Sequence, residues 1–138
     1  MSAMPAIEHH ASIQSQADLG PLLLAISKIE NPRQDPMAVG PRGERGLWQI
    51  KETTWKDTTG WPFRDAWDPL LSRLVAREHL LWLERQLEVN GFKANAYNMA
   101  LCWRVGLEGF VNRKHLPEAR DYAQRVVNLM TPPFPPQR

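Results

Sequence analysis

The segment from Asp68 to Gly91 constrains the fold of this chain more than any other. An aspartate that can cap a helix stands directly before a proline, and a glycine that can end a helix closes the segment. The residues between them are apolar on a broad face, and the run at residues 80–83 is apolar on nearly every side. Such a helix needs cover from other elements, so the sequence predicts a helical domain built around it.

Four other helices are predicted around this central one. Asp18 and Pro21 can start a first helix, which ends at Glu30 because Pro32 disfavours helical geometry at the residue before it. The remaining helices are predicted over residues 52–59, 94–105 (ended by a glycine) and 117–130. No segment alternates with the period of a strand over more than a few residues. The fold class is therefore mainly α, with at most a small β-hairpin before Ile50.

The length of the chain limits it to one domain. Its 138 residues, 43% of them hydrophobic, can bury a single core of ordinary size. We expect a flexible arm over residues 1–17, a compact domain over 18–130 and an exposed proline-rich tail over 131–138. The first twenty residues do not read as a secretory signal, and no window is long and apolar enough for a membrane span.

Charge, cysteine and histidine content bear on the possible partners. A net charge of +2, with the basic residues scattered, falls short of a nucleic-acid-binding surface, so a helical nucleic-acid-binding domain is the least favoured reading. The single cysteine, Cys102, lies in an apolar helical stretch and is expected to be a buried, inert thiol. His9 and His10 have no cysteine or carboxylate cluster nearby at ligand spacing. We predict no metal, no cofactor and a monomer.

A candidate catalytic carboxyl stands at the end of the first helix. Glu30 follows the apolar run at residues 22–29 and precedes a loop rich in proline and glycine. A largely buried helix can deliver the carboxyl into a cleft and hold it protonated near neutral pH. A protonated acid of this kind is suited to protonating a leaving sugar oxygen, and long loops in compact domains are usually functional.

The order of these features resembles the lysozyme-like soluble lytic transglycosylases. In that family a glutamate, usually followed by serine, precedes a Gly-Ala-x-Gly-Leu-Met-Gln segment and later an Ala-Tyr-Asn-Ala-Gly segment. Here Glu30-Asn31 is followed by Gly-Glu-Arg-Gly-Leu-Trp-Gln at residues 43–49 and by Cys-Trp-Arg-Val-Gly at residues 102–106. The Pro-Glu-Ala-Arg-Asp-Tyr of residues 117–122 resembles the closing helix of the family. The resemblance covers residues 22–130 and implies a lysozyme-like α+β fold that is mainly helical.

Two registers compete for the tyrosine segment of the family. Tyr97-Asn98 matches the residue types, but no glycine follows at the right offset. The register through Trp103 includes Gly106 and keeps the expected distance to the last helix, so we prefer it. In the family, the tyrosine hydroxyl at this position helps to hold the catalytic carboxyl. An indole only donates a hydrogen bond, and the cation of Arg104 would favour the ionised form of a nearby acid.

The resemblance implies cleavage of the bond between N-acetylmuramic acid and N-acetylglucosamine in peptidoglycan, leaving 1,6-anhydro-muramoyl ends. Glu30 would act as acid and then as base. Such a substrate lies in the periplasm, the cell envelope or outside the cell, and the sequence leaves the location open. The residues expected to bind substrate are Gly46, Leu47, Trp48, Gln49, Trp103 and Arg104.

Three points stay open at the level of the sequence. A hydrolysing muramidase would need a second carboxyl to position water, and the candidates are Glu44 first, then Asp35 and Glu52. A peptidoglycan-binding structural module of the envelope or of a phage particle is an alternative outside enzymes. Trp48 can equally line the cleft or the core. The other tryptophans outside the motifs are expected to be core or hydrophobic-staple residues, namely Trp55, Trp61, Trp67 and Trp82.

Overall fold

The computed structural model describes residues 19–113 and 115–130. They form a mainly helical fold, which confirms the predicted class, and the arm and tail predicted at the two ends lie outside the described residues. The elements in chain order are α1 (residues 19–30), α2 (Glu52–Thr58), a short 3-10 helix (Phe63–Trp67), α3 (Pro69–Val89), α4 (Ala96–Val111) and α5 (Pro117–Met130).

Helix α3 begins and ends as its sequence predicts. The Asp68 carboxylate accepts hydrogen bonds from the backbone N–H groups of Leu70 (2.9 Å) and Leu71 (3.1 Å). At the other end Gly91 has a φ of 83°, and the N–H of Phe92 donates to the carbonyl of Leu87 over 2.9 Å. This left-handed turn satisfies carbonyls that the last turn of a helix leaves unpaired.

The core surrounds α3. Side chains from α1, α3, α4 and α5 form one buried cluster, in which Ile26, Leu80 and Val126 are completely inaccessible to solvent. Helix α4 packs against both α3 and α5. Cys102 belongs to this cluster, which confirms its predicted burial, and this burial raises the pKa of the thiol to about 12.

The loop after α1 returns through two isolated β-bridges instead of a hairpin with regular strands. Arg45 pairs with Val39 on one side and with Ile50 on the other. Gly46 follows with a φ of 84°, and a methyl group on its Cα would overlap the carbonyl oxygen of Ala66. Only glycine combines this backbone conformation with so close an approach. The loop is thereby fixed against the 3-10 helix.

Helix α4 differs from its predicted bounds of 94–105. It begins at Ala96, where the Asn95 side chain accepts a hydrogen bond from the N–H of Asn98 (2.8 Å). The prediction that Gly106 ends this helix was wrong. Gly106 interrupts it with φ 82° and ψ 160°, but the helix resumes beyond this kink and continues to Val111. The sequence signal marked the break and not the end of the element.

Candidate active site

One cleft of about 1280 Å³ runs between the loop after α1, the start of α2, and helices α3, α4 and α5. It contains most of the chemically interesting residues that the sequence singled out. Those that line it are Glu30, Glu44, Gln49, Trp103 and Arg104, together with Lys51, Asp57, His79, Trp82 and Glu118 among others.

Glu30 lies at the last position of α1, with its side chain half-buried at the wall of the cleft. The hydroxyl of Tyr122 on α5 donates a hydrogen bond to its Oε2 over 2.8 Å. Tyr122 is itself buried, with 5% of its surface accessible. A rigid, buried donor therefore fixes the carboxyl from the opposite end of the chain.

Burial raises the pKa of the Glu30 carboxyl above its ordinary value. The hydrogen bond from Tyr122 and the positive charges of Arg104 and Lys51 act in the opposite direction, while the negative charge of Glu44 raises the pKa further. The raised pKa means that the protonated form is more populated than in a solvated glutamate. A general acid needs this property.

Arg104 acts on Glu30 through its charge and forms an ion pair with a second acid, Glu118. Its guanidinium is 2.6 Å from the Glu118 carboxylate and lies 5.7 Å from the centre of the Tyr122 ring. The pair is partly exposed, with 43% of the Arg104 side chain and 61% of the Glu118 side chain accessible. Part of the arginine charge is therefore balanced by Glu118 instead of by Glu30.

Asn31, the residue directly after Glu30, ties the loop to the end of α1. Its buried amide nitrogen donates to the carbonyl oxygens of Asp35 (2.8 Å) and Gly46 (3.1 Å). Its Oδ1 accepts from the N–H of Asp35 (3.2 Å). One side chain thus sets the position of Gly46 relative to Glu30.

Gln49 lines the cleft in a strained conformation. Its φ of 51° is unusual for a residue other than glycine, and its side-chain amide donates to the carbonyl oxygen of Gly46 (3.0 Å). A methyl group on Gly40 would lie 2.5 Å from the side-chain oxygens of both Gln49 and Glu44. The absence of a side chain at Gly40 therefore leaves room for both polar groups.

The three carboxylates considered for hydrolysis lie in different places. Glu44 lines the cleft, and its Oε1 accepts a hydrogen bond from the N–H of Arg42 (2.9 Å). Asp35 is exposed in the loop and caps the N–H of Met37, while Glu52 pairs with Lys56 on the outer face of α2. Only Glu44 of the three lines the cleft.

The residues at positions 46–48 do not line the cleft. Gly46 is buried beneath the loop, and Leu47 packs partly buried against the core. Trp48 is 5% exposed, and its indole N–H donates to the carbonyl oxygen of Leu23 (2.8 Å). The sequence allowed Trp48 to line either the cleft or the core. In the structure it lies in the core, and its hydrogen bond connects the loop to α1.

Trp103 lies in the cleft but does not take the part of the family tyrosine. Its ring meets the ring of His79 edge-on, 5.5 Å between centres, and the carboxyl of Glu30 is held instead by Tyr122. His79 in turn lies nearly parallel to Trp82, 5.8 Å away and with 15° between the planes. Trp82 is 40% exposed and lines the cleft, so the expectation that it is a core or hydrophobic-staple residue was wrong.

Sequence reasoning missed Tyr122 and Asn31 as parts of the site. Tyr122 falls on the buried face of α5 with Ala119 and Val126, a pattern that predicts packing and nothing more. Its partner Glu30 is 92 positions away. A contact of this sequence separation has no local signal, although the Pro-Glu-x-Arg-x-Tyr motif marked the helix that carries it.

The model of the transglycosylase SLT domain family matches residues 10–102. The chain belongs to this family. At family level the SLT domain is a lytic transglycosylase-like peptidoglycan glycosidase, and peptidoglycan is the implied substrate. The match includes Glu30 and the loop, and ends before Arg104 and Tyr122. No curated protein and no solved structure matches the chain.

No group of three or more histidine, cysteine, aspartate or glutamate side chains in residues 19–113 and 115–130 could hold a metal ion. His9 and His10 lie outside this range. Within it, no helix has the length and apolar character to cross a membrane.

Proposed function

We propose that this SLT domain is a peptidoglycan lytic transglycosylase in which Glu30 acts as both acid and base. The observation that carries the proposal is the Glu30 carboxyl, half-buried in a large cleft and held by the Tyr122 hydroxyl at 2.8 Å. Burial raises the pKa of this carboxyl, which favours the protonated form that the first step needs.

The reaction can be written with this one carboxyl. Glu30 donates its proton to the oxygen that bridges the muramoyl and glucosaminyl residues, and the C1–O bond breaks as positive charge develops at the muramoyl C1. The 6-hydroxyl of the same muramoyl residue then attacks C1 and gives its proton to the Glu30 carboxylate. The product is a 1,6-anhydro ring, and Glu30 is protonated again.

Tyr122 and Arg104 would stabilise the carboxylate between the two steps. Both lower the pKa of Glu30, the first by its hydrogen bond and the second by its charge. The burial of Glu30 opposes them. The result is an acid that can release its proton and regain it within one cycle, as a group with this double role requires.

Hydrolysis is the second candidate, and one observation favours it. Glu44 lines the same cleft, and its negative charge adds to the larger effect of burial in raising the pKa of Glu30. A carboxylate in this position can orient water toward the muramoyl C1 and accept its proton. The product would then be a reducing-end muramoyl residue.

Mass spectrometry of the fragments released from purified sacculi tests both candidates. The expected result is anhydro-muramoyl products from the wild type and from Glu44→Gln, and none from Glu30→Gln. Glu52→Gln is the matched control, since Glu52 does not line the cleft and forms an exposed ion pair with Lys56. Reducing-end products that disappear in Glu44→Gln would contradict the transglycosylase proposal and show that the protein hydrolyses the bond. Binding to sacculi without release by any variant would favour a binding module.

A further inference from the structure

Trp82, His79 and Trp103 form an aromatic wall in the cleft, built by α3 and α4. The His79 ring contacts both tryptophans, Trp82 in a stacked arrangement at 5.8 Å and Trp103 edge-on at 5.5 Å. All three line the cleft that contains Glu30. Arg104, which follows Trp103, lines the same cleft, and its charge acts on Glu30.

The exposure of Trp82 is not explained by the packing of α3. Its neighbours Leu81 and Leu83 are 4% and 1% exposed, whereas 40% of Trp82 is accessible, and the exposed part faces the cleft. The indole stacks on the His79 ring, with 15° between the two planes. An apolar ring that packs on a neighbouring ring and is left open in a cleft is a surface for a ligand.

The chemistry of the wall selects a neutral sugar face. Burial lowers the pKa of His79 to about 4, although the Asp57 carboxylate opposes this, so the imidazole is uncharged at neutral pH. An uncharged aromatic surface matches the axial C–H face of a pyranose ring, and a neutral imidazole offers a donor and an acceptor for hydroxyl or N-acetyl groups.

We infer that Trp82, supported by His79 and Trp103, is a stacking subsite for an N-acetylhexosamine residue of the glycan strand. This subsite rests on the proposed function for its substrate class, but it concerns binding and not bond cleavage. It places a sugar at the wall while the scissile bond lies at Glu30. Trp82 is thus a determinant of how the strand is held in the cleft.

Titration with N-acetylglucosamine tetramer, followed by calorimetry in the Glu30→Gln background, tests the subsite. Trp82→Ala should weaken binding roughly tenfold, and Trp82→Phe should recover part of the loss, because a smaller ring keeps part of the stacking face. Trp61→Ala is the matched control, since Trp61 is 42% exposed and does not line the cleft. Equal affinity of Trp82→Ala and the control, or no binding by the parent protein, would overturn the inference.

A second measurement needs no substitution. Oxidation of exposed indoles by N-bromosuccinimide, read by peptide mass spectrometry, should be suppressed at Trp82 by the tetramer and remain unchanged at Trp61. Equal oxidation of Trp82 with and without the sugar would count against the subsite.

The two proposals fail separately. If the sugar protects Trp82 from oxidation but the protein releases nothing from sacculi, the subsite is supported and the transglycosylase activity is contradicted. If Trp82→Ala releases anhydro products with the wild-type rate and affinity, the activity is supported and the subsite is contradicted.

Discussion

The hydroxyl of Tyr122 and the carboxyl of Glu30 are joined by a hydrogen bond of 2.8 Å between the first and last helices of the domain. This contact connects the packing of α5 to the chemistry of the cleft. Helix α5 buries Ala119, Tyr122, Ala123 and Val126 against the core, so the donor cannot move away without loss of packing. The position and the proton affinity of the acid therefore depend on the same residue.

Replacing Tyr122 by phenylalanine should raise the pKa of Glu30. The hydroxyl stabilises the carboxylate and so lowers the pKa of Glu30, whereas burial raises it. Without the hydroxyl, the effect of burial is less strongly opposed. We expect the activity on sacculi to fall about tenfold and the basic limb of the pH profile to move to higher pH. Tyr97→Phe is the control, since Tyr97 lies near the start of α4 and does not line the cleft. An unchanged basic limb in Tyr122→Phe would contradict the role of the hydroxyl.

The Glu30→Gln variant should be more stable than the wild type at alkaline pH. Because the pKa of Glu30 is raised in the folded state, the folded protein holds the proton over a range where the unfolded chain has lost it. The wild type therefore loses stability as the pH rises through that range, while glutamine has no such term. The difference in Tm between Glu30→Gln and the wild type, measured by thermal unfolding, should be larger at pH 8 than at pH 4. An equal difference at the two pH values would argue against a buried, protonated acid.

His79 should give the protein the opposite pH dependence at acid pH. Its pKa in the folded state is about 4, below the value of the unfolded chain, so protonation favours unfolding. The wild type should lose about 3 kcal/mol from this group as the pH falls from 6.5 to 4, and His79→Phe should not. Urea unfolding at several pH values gives the free energy of unfolding as a function of pH for the wild type and for His79→Phe, and the two slopes should differ. Equal slopes would mean that protonation of the imidazole does not destabilise the folded protein.

Two glycines with the same backbone conformation should differ in their tolerance of alanine. Gly43 and Gly46 have φ values of 85° and 84°, but a methyl group at Gly43 meets open space and one at Gly46 overlaps the Ala66 carbonyl. Gly43→Ala should cost about 1 kcal/mol of unfolding free energy, and Gly46→Ala about 3 kcal/mol or more. Chemical denaturation gives both values. Similar costs would mean that the loop can move away from the 3-10 helix.

The elements were predictable where a local signal fixes them. The cap at Asp68 and the left-handed Gly91 are set by the geometry of a few neighbouring residues, and both predictions are confirmed. Gly106 does break the helical backbone, but the prediction that it ends the helix was wrong, because α4 continues to Val111. The presence of Glu30 in the cleft was expected from the motif. The position of Trp48 was open, because an apolar ring with one donor suits a core carbonyl and a sugar equally well.

The remaining parts of the site depend on contacts between distant segments. Trp82 looked like a core residue because it lies within an apolar run, and only the packing of α4 beside α3 leaves its ring facing the cleft. The resemblance assigned the family tyrosine that holds the carboxyl to the position of Trp103, which offers only an indole N–H, and the hydroxyl that holds Glu30 comes from Tyr122. No pattern within a window of one helix contains this information.

The two bonds donated by Asn31 make a last prediction. Its amide joins the end of α1 to Gly46, and its family counterpart, serine, is too short to reach both carbonyls. Asn31→Ala should cost about 2–3 kcal/mol, since it leaves two carbonyls with a lost donor in a partly buried place. Asn31→Ser should recover only part of this stability, and Asn128→Ala, on the exposed face of α5, should cost less than about 1 kcal/mol.

The loss of the Asn31 amide should also reduce activity more than a purely global destabilisation would, because the Gly46 carbonyl holds the Gln49 side chain, which lines the cleft. Measuring activity at a temperature where all variants are folded separates the two effects, and full activity of Asn31→Ala there would mean that the loop keeps its position without this residue.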